Sequence, residues 1–225
     1  MKFINTFNEH IEYESYKDSS DWITPNLSYC RSEDECHFNR TDPTNGYEYV
    51  DMGFPSGTLW AKCNVGAENE YDMGLFFAIG ETTGYYDASS GKTYSFSDYK
   101  YADPTSDYKV TKYNSTDQIN ILELEDDAAY VNMGHNWRTP SQEQCEELIN
   151  NIYVTKTYVT NYNDSGKNGV LVTSNINGNT LFFPHTGYLI NGVFSTSCTY
   201  YMTTMVYWGS SEPYSLFIDG NLYVE

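Results

Sequence analysis

A chain of 225 residues with 40% hydrophobic content is long enough for one core-bearing domain, or for one domain and a small module. Its 12 basic and 31 acidic residues give a net charge of −19, a field that repels nucleic-acid phosphates and anionic lipid, so neither nucleic acid nor a membrane surface is an expected partner. No apolar run approaches the ~18 residues of a membrane span, and five cysteines, an odd number in a chain this long, fit no disulfide framework.

The N-terminus turns polar and acidic before an apolar leader core can form, so no signal peptide is read and synthesis in the cytoplasm is expected. Residues 1–45 read as a small module. Thr6 and Glu9 have capping-box spacing ahead of a short helix through Ile11, Tyr13 and Tyr16. Leu27–Cys30 and Cys36–Asn39 then read as the two arms of a hairpin, with Cys30 and Cys36 as free thiols. A helix and one hairpin bury too little area to stand alone. The module is therefore expected to dock on something, with Phe7, Ile11, Tyr16, Trp22, Tyr29 and Phe38 as its attachment residues. Arg40–Gly46 reads as a linker.

Residues 46–225 read as the main domain. The block Tyr49–Ala67 carries glycines, a proline and an aromatic–aliphatic run, too punctuated for a helix and too apolar for a flexible linker. Residues 84–118 are rich in Tyr, Ser, Asp and Gly with weak periodicity, and read as long ordered loops. A first helix is predicted over about Leu124–Met133, with Leu124, Ala128 and Val131 on one face and Gly134 as its stop. A second helix is predicted with Thr139 as N-cap, Pro140 in the first turn and Gln142 completing a capping box, followed by Cys145, Leu148, Ile149 and Ile152 at helical spacing. Strands are predicted at Tyr153–Val159, Gly169–Ser174, Thr180–Phe183, Tyr188–Ile190, Thr199–Thr203 and Tyr214–Ile218, with Asn177-Gly-Asn179 turning a hairpin. The 23 tyrosines, with an apolar ring and a polar tip, suit half-buried strands and contact surfaces.

Three kinds of chemistry are weighed. Glu123, Glu125, Asp126 and Asp127 are dense carboxylates of the type hard cations prefer, but acidic residues at a helix start stabilise its dipole without a metal. Cys30, Cys36 and His37 lack zinc-ligand spacing, so no metal or cofactor is expected. No nucleophile elbow or triad pattern stands in the chain, Cys145 falls on an apolar helix face, and His10, His37, His135 and His185 are scattered. No enzyme is expected. Recognition remains. The loops after Gly84 and the segments Ile190–Cys198 and Met205–Tyr214 combine rigid aromatics with small polar residues, and Tyr85, Tyr86, Tyr207, Trp208 and Tyr214 are the candidate ligand-binding residues.

Five spaced blocks, Tyr49–Ala61, Phe76–Thr82, Leu124–Ala129, Asn136–Pro140 and Phe183–Tyr188, resemble in content and order the Fibrobacter succinogenes major paralogous domain family, abundant in Bacteroidetes and their phages. The resemblance implies an α+β, C-type lectin-like fold, shared with formylglycine-generating enzymes and phage receptor-binding variable proteins, with two helices and a mostly antiparallel, strand-rich C-terminal half. Two positions depart from it: Tyr201–Thr204 replaces a Tyr-Trp-Ser-Ser-Ser run, and Ile79 replaces a tryptophan. The calcium signatures Glu-Pro-Asn and Trp-Asn-Asp of sugar-binding C-type lectins are missing, and only Cys198 stands where the oxidase-type enzymes of this fold need two cysteines. Phe7–Tyr16, Pro25–Cys30 and His37–Asn39 are similar to an N-terminal segment that recurs in virion proteins of gut Bacteroidales phages. Together the resemblances imply a phage virion structural protein, head-fibre or tail-associated, made in the host cytoplasm. Residues 1–45 would attach to other virion proteins, and the larger domain would bind host-surface or mucus glycan or another virion protein. A homo-oligomer, such as a trimer, follows by analogy with symmetric fibres. The alternative is a bacterial carbohydrate-binding adhesin without a virion role.

Overall fold

The computed structural model describes residues 4–5, 40–41, 45–84, 96–105, 109–119, 121–185, 188–190, 193–195, 205–208, 213–218 and 222–224. These residues form an α+β structure of two α-helices and four antiparallel sheets. The first sheet holds β1 (Ile4–Asn5), β2 (Arg40–Thr41), β3 (Glu48–Asp51), β4 (Leu59–Ala61) and β5 (Trp137–Arg138), in the order β2-β3-β4-β1-β5. The expected N-terminal module thus supplies two strands to a sheet otherwise built from residues beyond 46. Arg40–Thr41, read as linker, is a strand paired with Tyr49 and Glu48. A two-residue strand is too short to carry a period of its own, and Pro43 and Gly46 beside it read as loop.

The second sheet is a meander of β6 (Val154–Val159), β7 (Gly169–Ser174) and β8 (Thr180–Pro184). Alternation decides its inner face: Val170, Val172 and Ser174 are buried, and the register sets Val170 opposite Phe183 and Val172 opposite Leu181. The predicted hairpin turn forms, with Gly178 at φ 78°, a left-handed conformation that costs glycine little. Its tip is fastened to the first sheet. Ser174 Oγ donates to the Met52 carbonyl at 2.6 Å, and the Asn177 and Asn179 side-chain amides both donate to the Asp51 carbonyl, at 2.9 and 2.7 Å. Two further small sheets follow: β9 (Tyr188–Ile190) with β10 (Val193–Ser195), and the meander β11 (Met205–Trp208), β12 (Pro213–Ile218), β13 (Leu222–Val224). The segments 190–198 and 205–214, expected as recognition loops, therefore contain strands. The predicted strand Thr199–Thr203 lies outside the described residues.

Both helices differ in detail from the sequence reading. The first is split: a 3-10 turn over Leu124–Asp126, then α1 over Ala128–Met133, with Asp127 in an extended conformation between them. Gly134 ends α1 at φ 102°, as its stop signal predicts. Of the expected apolar face only Ala128 is buried. Leu124 and Val131 are about half exposed, 48% and 50%, while Asp126 and Asp127 are buried with Ala128, Ala129 and Met133. The second helix, α2 (Gln142–Ile149), begins two residues later than predicted. Its N-cap is Ser141, in a reciprocal capping box with Gln144. Two overlapping hydroxyl-x-x-Gln patterns stand in this stretch, and Thr139 loses the capping role because Asp127 already holds it. Ile152 falls beyond the helix and is 76% exposed, whereas Cys145 and Leu148 are fully buried.

The core has two parts. α2 packs with Trp60, Met52 and Phe54 against Val154, Val170, Val172, Leu181 and Phe183 of the second sheet. α1 packs through Ala128, Ala129 and Met133 on Ala61, Val65 and Trp137. The turn after β3 rests on α2: Gln144 Nε2 donates to Thr58 Oγ1 at 3.2 Å, and Glu147 accepts from the Ser56 amide and hydroxyl.

Candidate functional site

Two places concentrate chemistry-bearing residues, a buried carboxylate and an aromatic strand pair. The carboxylate is Asp126, fully buried at the end of the 3-10 turn. Four side chains from the segment 99–113 converge on it. Lys100 Nζ donates to Oδ1 at 2.5 Å. Oδ2 accepts from Tyr101 OH at 2.5 Å, Tyr113 OH at 2.6 Å and Lys112 Nζ at 2.6 Å. Lys112 also donates to Glu123 Oε2 at 2.5 Å, and the Glu123 amide donates to Tyr113 OH at 3.1 Å. The rings of Tyr101 and Tyr113 meet edge to face at 5.6 Å, with the Lys112 ammonium 4.9 Å from the Tyr113 centroid. Tyr99 OH donates to the Ile79 carbonyl at 2.7 Å, and the Lys100 amide donates to Glu81 Oε1 at 2.9 Å. Among the described residues of this segment, the Ala102–Val110 bridge and the backbone bonds from Asp103 to Lys109 and from Thr111 to Tyr101 join its two arms, and Asp126 holds both arms to the 3-10 turn.

The electrostatics follow from this geometry. Burial alone would push the Asp126 carboxyl up, but hydrogen bonds from Lys100, Lys112, Tyr101 and Tyr113 outweigh it and hold the group well below the ordinary carboxylate range. The Asp126 carboxylate raises both Lys100 and Lys112 through hydrogen bonds, helped at Lys112 by Glu123. Burial, then the bond to Asp126, pushes the Tyr113 phenol up to about 12. All of these groups are held in one protonation state near neutral pH, which is the wrong condition for a general acid or base.

Carboxylate oxygens of Glu123, Glu125 and Asp126 lie within 4.8 Å of one another. The Lys112 ammonium is paired with two of the three, Glu123 and Asp126. The arrangement is an ion-pair network. Asp127, the fourth carboxylate of the sequence cluster, points the other way. It caps α1 through the Ala129 and Tyr130 amides at 2.9 and 3.3 Å and grips the amide and hydroxyl of Thr139. Cys145 is fully buried, and burial pushes its thiol well up, so it is not a poised nucleophile. His185 is half-buried against Tyr158, ring centroids 5.1 Å apart, and burial lowers it.

Of the candidate ligand-binding residues, the strand register pairs two. Tyr207 of β11 stands opposite Tyr214 of β12, and Trp208 stands opposite Pro213. Tyr85 and Tyr86 lie outside the described residues, as do the attachment residues Phe7, Ile11, Tyr16, Trp22, Tyr29 and Phe38. Sequence reasoning missed Lys100, Tyr101, Lys112 and Tyr113. The available signal was the repeated Lys-Tyr dipeptide in an otherwise acidic chain. It also missed a surface stack in which the Arg138 guanidinium lies 4.1 Å from the Tyr130 ring centroid and Tyr130 stacks on His135 at 4.6 Å. No family model, curated protein or solved structure matches the chain.

Proposed function

We propose that this chain is a non-enzymatic structural protein of a bacteriophage virion, head-fibre or tail-associated. In this reading residues 1–45 engage other virion proteins, and a C-type lectin-like domain belonging to the Fibrobacter succinogenes major paralogous type is displayed for recognition of host-surface or mucus glycan, or of a further virion protein. The observation that carries the recognition role is the β11–β12 register, which sets Tyr207 across from Tyr214 with Trp208 as the next residue. Aromatics fixed on paired strands offer flat, low-entropy contact area of the kind sugar rings and protein partners stack on. The absence of a role in catalysis is supported by the Asp126 network, whose charged groups satisfy one another, and by the inaccessible Cys145 thiol.

A glycan array probed with the full chain and with a Tyr207→Ala/Tyr214→Ala double variant tests the recognition role. The reading expects binding to a restricted glycan set that the double variant loses while its thermal unfolding is unchanged. Flat binding by the parent chain removes the glycan and leaves contact with virion protein. Binding that survives the double substitution moves the surface elsewhere. Glycan binding by a chain that is never found in particles would favour the adhesin.

A further inference from the structure

Asparagine is chemically least secure before glycine, whose amide nitrogen has no neighbouring side chain to keep it from the asparagine side-chain carbonyl. The sequence has Asn-Gly steps at 45–46, 168–169, 177–178 and 191–192. The last lies outside the described residues. The other three stand in different surroundings. The Gly178 amide donates to the Ser174 carbonyl at 3.1 Å, inside the turn that fastens the second sheet to the first. Gly169 is the first residue of the central strand β7, paired with Val159 on one side and Pro184 on the other. Asn45 and Gly46 are both exposed. Gly46 lies at φ +78° with open space where a Cβ would stand, and among the described residues its amide has no acceptor.

The Asn45 side chain is held at both ends. Its Oδ1 accepts the Tyr47 amide at 3.2 Å, so a donor already faces the oxygen on which negative charge develops when Cγ is attacked. Asn177 Oδ1 accepts the Asn179 amide in the same way, so the two sites differ in the nucleophile: the Gly178 amide is engaged and the Gly46 amide is not. Asn45 Nδ2 donates to the Met133 carbonyl at the end of α1. Gly134 leaves room for it, since a Cβ there would lie 2.8 Å from Asn45 Nδ2. Tyr47 extends the contact, its OH donating to the Asn132 carbonyl at 3.3 Å and its ring meeting Trp137 edge to face at 6.2 Å. Asn45 and Tyr47 thus satisfy carbonyls that a helix C-terminus leaves without an internal partner.

We propose that Asn45 is a site of spontaneous deamidation, and that conversion there detaches the segment before β3 from the end of α1. The Gly46 amide nitrogen gives up its proton to water or hydroxide and attacks Asn45 Cγ. The new N–Cγ bond closes a succinimide, the Cγ–Nδ2 bond breaks, and Nδ2 leaves as ammonia with a proton taken from solvent. Water then opens the ring at either carbonyl and leaves aspartate or isoaspartate. The net exchange is amide and water for carboxylic acid and ammonia, with no oxidant or reductant. The product carboxylate has no proton to give the Met133 carbonyl, so two acceptors face each other where a donor and an acceptor stood. Conversion also adds negative charge to a chain already at −19. This chemistry is independent of any role in a virion.

Ageing of the full chain at mildly alkaline pH, with peptide mapping by mass spectrometry at intervals, tests the site. In urea the steps at Asn45, Asn168 and Asn177 should convert at similar rates. In the native chain Asn45 should convert at least ~10-fold faster than Asn168 or Asn177, whose glycine amides are freed only by local opening of the second sheet. Isoaspartate should appear beside aspartate, as the succinimide route requires. Asn45 left intact in native protein while the urea sample converts fully would overturn the site, as would equal native rates at all three positions. Asn45→Asp tests the consequence. Hydrogen exchange at the Gly134 amide, which closes α1 on the Tyr130 carbonyl, should be faster by about threefold or more in the variant, with β7 unchanged. Unchanged protection at Gly134 would overturn the detachment. Should Asn45→Asp fail to fold, the same exchange read on the aged parent chain decides.

Discussion

Asp127 Oδ2 accepts the Thr139 amide at 2.9 Å and Asp127 Oδ1 accepts the Thr139 hydroxyl at 3.1 Å, tying the start of α1 to the segment that leads into α2. One buried carboxylate thus caps a helix and fixes the entry of the next. Asp127→Ala removes the cap and leaves the Thr139 donors unpaired. The expected cost is about 2–3 kcal/mol in urea unfolding, against about 1 kcal/mol for Asp127→Asn, whose amide oxygen can still cap.

Asp126→Asn removes the charge on which Lys100 and Lys112 converge. A loss of about 2 kcal/mol at pH 7 is expected, at the low end for a buried pair because Lys100 is 48% exposed. The pH dependence has a definite sign. The folded-state Asp126 carboxyl titrates below its unfolded value, so its contribution is fully present above pH ~4 and is lost as pH falls below that. Lys100, Lys112 and Tyr113 are raised, so their contributions hold below pH ~10 and are lost as pH rises beyond it. Urea midpoints measured from pH 7 down to pH 2 should fall less steeply in Asp126→Asn than in the parent chain. Parallel curves would contradict the network.

Gly169 opens β7 at a point where a Cβ would lie 2.2 Å from the Phe183 carbonyl oxygen and 2.6 Å from Phe182 Cζ. The backbone of the neighbouring strand cannot yield as a side chain can. Gly169→Ala is expected to destabilise by about 1–3 kcal/mol, whereas Gly166→Ala, with open space around it, costs only the strain of φ +74°. Thermal unfolding of the two variants should separate these causes.

Cys145 is fully buried with its thiol raised by burial, while Cys63 is half-buried. Alkylation of native protein followed by peptide mapping should modify Cys63 at least ~10-fold faster than Cys145. Equal rates would mean that α2 opens from the core readily.

What could be read in the sequence was what is local. Gly169–Ser174 is recovered with its bounds because branched apolar residues alternate there and Asn177-Gly178-Asn179 fixes the turn. Gly134 stops α1 for a reason visible in one residue. The errors arose where a distant partner overrode a local pattern. Thr139 has the spacing of an N-cap but is held by Asp127. Leu124 and Val131 have the spacing of a core face, yet both are about half exposed, while Asp126, bonded to the lysines and tyrosines at 100–101 and 112–113, is buried. β1 and β2 are two residues each, and their strand character comes wholly from the partners they find. The aromatic residues at 207, 208 and 214 stood out by composition, but the register that sets Tyr207 opposite Tyr214 was not legible.

Mass spectrometry of purified particles, from a lysate of a strain carrying the gene, tests the central claim most directly. The account predicts this chain among the virion proteins at a stoichiometry set by particle symmetry, with cross-links to its virion partner concentrated in residues 1–45. Particles free of the chain, in a lysate whose soluble fraction contains it, would contradict it.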